Sequence, residues 1–186
     1  MIRYRERVAR HRSRAGHLAA TLVQIVAFWG LFLVVLPRAV AHLEFEILGW
    51  PPFDKAPWTD AAAWLLLAAA SAGGLHSASL FAWHGDGTPL PLDTTRNLVV
   101  RGIYAHLRNP MAVFGLTQGL AVSCLLGTRL GLVYVIAGAV AWNLVARPRE
   151  ERALLERFGS DYGAYRSAVP CWWPRLRAYR ADDSSR

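Results

Sequence analysis

The sequence predicts an all-α integral membrane protein with about four transmembrane helices, and three observations carry that expectation. Of its 186 residues, 54% are hydrophobic and 18% charged, too apolar and too weakly charged for a disordered chain. The apolar residues are clustered, since 17–37, 61–83, 111–128 and 130–146 contain no Asp, Glu, Lys or Arg. Basic residues flank these stretches: six Arg lie in the first 14 residues, three between 84 and 110, and nine from residue 147 onward. A net charge of +8 distributed this way belongs to an anionic membrane surface and not to a nucleic-acid patch.

Each span follows from length. A bilayer core of about 30 Å needs ~20 apolar helical residues, ~17 at the low limit. Residues 17–37 and 61–83 meet that as full crossings. Residues 111–128 and 130–146 sit near the limit, are separated only at Arg129, and read as a tight hairpin. The first apolar run exceeds the ~7 to 15 residues of a signal-peptide core and has no small-x-small cleavage site before Pro37, so it reads as an anchor.

Four crossings place both termini and the 84–110 linker on one side. That side then holds 18 Lys and Arg, against Arg38, Lys55 and Arg129 on the other. The positive-inside rule makes it the cytoplasm. Gly115 and Gly119 form a small-xxx-small step suited to close helix packing, although glycine is common in any membrane helix. Trp50, Trp58, Trp142, Trp172 and Trp173 fall near the expected interfaces. Cys124 and Cys171 supply neither a disulfide framework nor metal-ligand spacing.

Polar chemistry is concentrated in 84–110 and 147–174. The linker is too rich in turn formers for one helix, and Gly85 and Gly87 complete no dinucleotide or phosphate-loop fingerprint. In the tail, Pro148 followed by Glu150 and Glu151 suits the first turn of a new helix. Leu154, Leu155, Phe158, Tyr162 and Tyr165 then form one apolar stripe expected to lie against the membrane body, with Gly159 as a break. Arg147, Glu150 and Glu151 have two readings. They form a helix-junction ion pair worth a few tenths of a kcal/mol, or the acids receive a cationic small molecule. Spacing alone does not choose.

These segments carry Gly102-Ile103-Tyr104, Arg108-Asn109-Pro110, Glu150-Glu151, Phe158-Gly159 followed by Tyr162 and Tyr165, and Val169-Pro170. In that order they resemble the integral-membrane methyltransferases that include isoprenylcysteine carboxyl methyltransferases and phospholipid methyltransferases. The resemblance covers about half the chain, roughly 84–174, and none was found in the first two crossings. It implies that the linker and a C-terminal amphipathic helix form a cytoplasmic pocket for S-adenosylmethionine. Carried over by position, the cofactor-binding residues are Arg96, Asn97, Leu98, Val99, Tyr104, Asn109, Pro110, Met111, Ala112 and Glu150. Asn109 replaces the family's His, Ala112 stands where many members have Tyr, and Ala146 occupies the position of a family Arg, with Arg147 one residue later.

The implied activity is methyl transfer to a lipophilic acceptor that enters from the membrane. Arg147 is the candidate to orient a carboxylate acceptor, and Glu151 is the nearest spare carboxylate to deprotonate an amine. Two other classes remain open on the sequence: an NADPH-dependent membrane reductase, and a non-catalytic protein binding lipid or a partner. Oligomeric state and the acceptor atom are not written in the sequence.

Overall fold

A computed structural model describes residues 14–85 and 97–180. Helices account for nearly all regular structure, with no strand among the described residues. The elements are α1 (Arg14–Trp29), α2 (Leu36–His42), α3 (Thr59–Leu80), α4 (Pro110–Leu126), α5 (Arg129–Ala141) and α6 (Arg147–Ala168), with π-helical and 3-10 segments between several of them. Three continuous helices are long and apolar enough to cross a membrane: Leu22–Ile47, Thr59–Leu80 and Arg129–Ala168. Pro110–Leu126, at 17 residues, is a shorter apolar helix. At most 22% of any of the three apolar windows is buried. Val23 and Val26 are each 69% exposed and Leu65 is 73% exposed. Apolar surface turned outward on this scale is matched to a hydrocarbon solvent.

Two expected helix ends are absent, for one physical reason. Pro37 does not end the first helix, and Pro148, although it stands in the first turn of α6, follows a helix that runs on without a gap from Arg129. Each proline lacks an N–H and crowds the preceding turn, and each is preceded by a π-helical segment, Gly30–Val35 and Trp142–Ala146 respectively. There the Leu36 N–H bonds Leu31 O and the Arg147 N–H bonds Trp142 O, an i to i−5 pattern. The wider turn makes room for the ring, so the helix continues. The first helix therefore runs on to Ile47, well past the expected 17–37 span. The fourth joins its tail helix without a break until Gly159, whose φ of 52° is non-helical, as its position suggested.

The chain divides into two units. The first comprises the described residues 14–24, 75–85, 97–111 and 148–180, and the second 25–74 and 112–147.

Within the second unit α2 packs beside α5. Gln118, 2% exposed, donates to Ser71 Oγ at 2.9 Å. Of the two glycines expected at a helix contact, Gly119 faces Val135 and Gly115 faces open space. Glu44, fully buried on the π turn Leu43–Ile47, organises the α4–α5 hairpin. Its carboxylate accepts from the Thr128 hydroxyl, from Arg129 N–H at 3.0 Å and from Leu130 N–H at 2.8 Å, and the Thr128 hydroxyl accepts from Gly131 N–H at 3.1 Å. The first three N–H groups of α5, which no helical carbonyl reaches, are all satisfied.

In the first unit, Leu154, Phe158, Tyr162 and Tyr165 pack with Leu98, Val100, Ala105, Val169 and Tyr179. The apolar stripe of α6 thus closes a small core on the linker and the C-terminal segment. Leu155 stands outside it, 43% exposed.

Candidate cofactor site

The site is built on the first unit's linker. Gly102 has φ +57°, and a Cβ there would come within 2.8 Å of Leu80 Cδ1. Only glycine takes that backbone and that approach without strain. From it a 3-10 turn, Gly102–Ala105, points Tyr104 inward.

Tyr104 is 4% exposed, its ring edge-on to Phe81 at 5.0 Å, and its carbonyl accepts from the Tyr165 hydroxyl at 2.7 Å. Its own hydroxyl is buried with no hydrogen-bond partner among the described residues. Burial, and then the charges of Tyr165 and Glu150, push the phenol well above its ordinary value.

Beside it runs an ion-pair cluster. Arg108 Nη2 lies 3.2 Å from Glu151 Oε1, and Arg166 Nε lies 3.7 Å from Glu151 Oε2. Arg108 also donates through Nη1 to Arg166 O at 2.6 Å and through its N–H to Pro170 O at 2.9 Å. Both members of the closer pair are mostly buried, at 11% and 13% exposure. Glu151 is thus engaged by two guanidinium groups. Asn109 donates to the buried Cys171 Sγ at 3.3 Å, giving that cysteine a partner its sequence position did not announce.

The placement of the expected site residues is uneven. Arg96 lies outside the described residues. Asn97 is exposed and donates to His84 O at 3.4 Å. Val99 is buried and Leu98 half-buried on the tyrosine core. Pro110 is fully buried at the start of α4, where its missing N–H costs little. Met111 is half-buried and follows it. Asn97, Leu98, Val99, Tyr104, Asn109, Pro110, Met111, Glu150 and Glu151 belong to the first unit, while Ala112 and Arg147 fall in the second. Arg108 and Arg166 were missed as site residues. Both share one acid, Glu151, and nothing in the spacing pairs position 108 or position 166 with it.

A multi-pass helical membrane protein with its polar groups gathered on a linker and a helix extension is the class these features define. The model of the phospholipid methyltransferase family matches residues 63–161, just over half of the chain, and the protein belongs to that family. It is a membrane methyltransferase whose family acts on lipid-related substrates. The match reaches back into α3, further than the motifs alone indicated, and stops before Tyr162. Comparison with curated proteins and with solved structures gave no match.

Proposed function

We propose that the protein transfers a methyl group from S-adenosylmethionine to a lipophilic acceptor drawn from the cell membrane, with the donor held at the cytoplasmic face. One observation carries the reading: the Tyr104 hydroxyl is buried with no hydrogen-bond partner among the described residues, inside a stretch that matches methyltransferases. An orphaned buried hydroxyl costs about 1 to 3 kcal/mol, a cost that a bound polar ligand removes. A carboxylate nearby suits the donor's positive charges.

S-adenosylmethionine supplies an electrophilic methyl group on a sulfonium. The chain's part is to bind, orient and exclude water. Tyr104 and Glu150 grip the donor, Asn109 offers an amide fixed by Cys171, and Asn97, Leu98, Val99, Pro110 and Met111 frame it. The engagement of Glu151 by Arg108 and Arg166 supports a structural role for Glu151 and an acceptor that needs no base. Arg147, three residues before Glu150 on the same helix, is assigned to orienting such an acceptor when it is anionic. The 18 to three distribution of Lys and Arg supports both termini in the cytoplasm.

The test is calorimetric titration of the detergent-purified protein with S-adenosylhomocysteine and, separately, with NADPH. Heat from the first alone supports the proposal. Heat from NADPH alone, or from neither, overturns it in favour of a reductase or a non-catalytic lipid binder.

A further inference from the structure

The segment that follows α6 has an arrangement that methyl transfer does not use. It is firmly tied down. Val169, Cys171 and Tyr179 are buried, Arg175 N–H bonds His106 O at 2.9 Å, His106 Nδ1 meets Arg175 O at 2.9 Å, and Tyr179 N–H bonds Ala105 O at 2.8 Å. Yet between these anchors Trp173 is 78% exposed and Leu176 is 98% exposed. An ordered backbone that holds two large apolar side chains away from its own core presents them to something else.

The charge around them says what. Residues 162–180 contain four Arg and no acid, and with Asp182 and Asp183 and the final Arg186 included the stretch still carries a net charge of +3. Arg166 is engaged with Glu151 and Arg175 donates to Ala168 O at 3.2 Å, which leaves Arg177 and Arg180 exposed next to the apolar pair. A tryptophan and a leucine flanked by guanidinium groups match the headgroup layer of a bilayer, where the ring sits at the interface and the cations meet phosphate. The chain is a membrane protein, so that phase is at hand.

We propose that Trp173, Leu176, Arg177 and Arg180 form a docking surface for anionic lipid headgroups. The inference rests on the membrane character of the family and is independent of which methyl donor or acceptor is used.

The full chain carrying Cys124→Ser and a spin label at Ala178→Cys tests it, with Cys171 left in its buried position. The protein is reconstituted in phosphatidylcholine vesicles alone or mixed with phosphatidylglycerol. Collisions of the label with molecular oxygen and with a water-soluble nickel chelate are then compared. In the anionic vesicles the label should lose nickel collisions severalfold and gain oxygen collisions. Trp173→Ser with Leu176→Ser should return it to water, and Arg177→Gln with Arg180→Gln should erase the difference between the two lipids. Circular dichroism of each variant verifies that the helices are intact. Equal and high nickel access in both lipids overturns the proposal. So does shielding that ignores the arginine changes and rises with protein density, which would mark a protein partner or a second copy.

Discussion

Tyr104 carries a buried hydroxyl that no described residue receives, so its removal should affect stability and binding in opposite senses. Tyr104→Phe should raise the thermal midpoint or leave it unchanged, because it deletes an unsatisfied polar group. The same change should weaken S-adenosylhomocysteine binding about tenfold, a loss of ~1.4 kcal/mol. Paired calorimetry and thermal unfolding check both signs. Glu150→Gln should weaken the same ligand by about tenfold to a hundredfold, since a charged hydrogen-bond partner contributes ~1.5 to 3 kcal/mol; unchanged affinity would remove Glu150 from the site. The phenol also sets a pH limit. With its folded pKa raised above the ordinary value of about 10, Tyr104 contributes stability that is fully present below pH ~10 and is lost as pH climbs beyond it. An alkaline unfolding transition that starts earlier in wild type than in Tyr104→Phe is the expected result. Tyr104 and Glu150 were legible as members of ordered motifs. The thiol contact of Asn109 was not, because Cys171 lies 62 residues away in sequence and a lone cysteine after a proline signals nothing by itself.

The helices show where element-level reading succeeds and where it stops. Apolar length located three helices long enough to cross a membrane and the shorter Pro110–Leu126, because hydrocarbon thickness imposes a length on any span. Boundaries failed at Pro37 and Pro148, since proline reads as a terminator until the π turn ahead of it is seen. Leu154, Phe158, Tyr162 and Tyr165 of the α6 stripe share one core with the linker and Leu155 does not, because spacing names a face and not what covers it. Gly102 is where one element depends on one atom. Gly102→Ala forces a left-handed backbone on a residue with Cβ and drives that Cβ toward Leu80. A loss of about 1 to 3 kcal/mol is expected, read as a lower thermal midpoint. Arg108 clamps α6 to the linker from its Glu151 and Arg166 contacts. Arg108→Ala and Glu151→Ala should each cost about 1 to 3 kcal/mol and the double variant less than their sum, as a thermodynamic cycle in detergent would show.

For the whole molecule, the charge asymmetry predicts orientation. With Cys124 and Cys171 replaced by Ser, a cysteine at Ser13 or Ser184 should be shielded from an impermeant thiol reagent in intact cells, and one at Thr59 should label. Labelling at Ser184 but not Ser13 would mean an odd number of crossings. The charge count was legible because it is a sum over the sequence and needs no contact. Glu44 was not, because the hydroxyl it receives belongs to a residue 84 positions later. That separation has a bearing on biogenesis. During synthesis the carboxylate is in place long before the α4–α5 hairpin emerges, and the hairpin's leading N–H groups find their acceptors only on a helix already inserted. The expectation is an ordered membrane integration, in which the α4–α5 hairpin is completed against the first helix. A chain translated from Thr59 onward would insert with those N–H groups uncapped, and co-expressing residues 14–58 as a separate fragment would restore it.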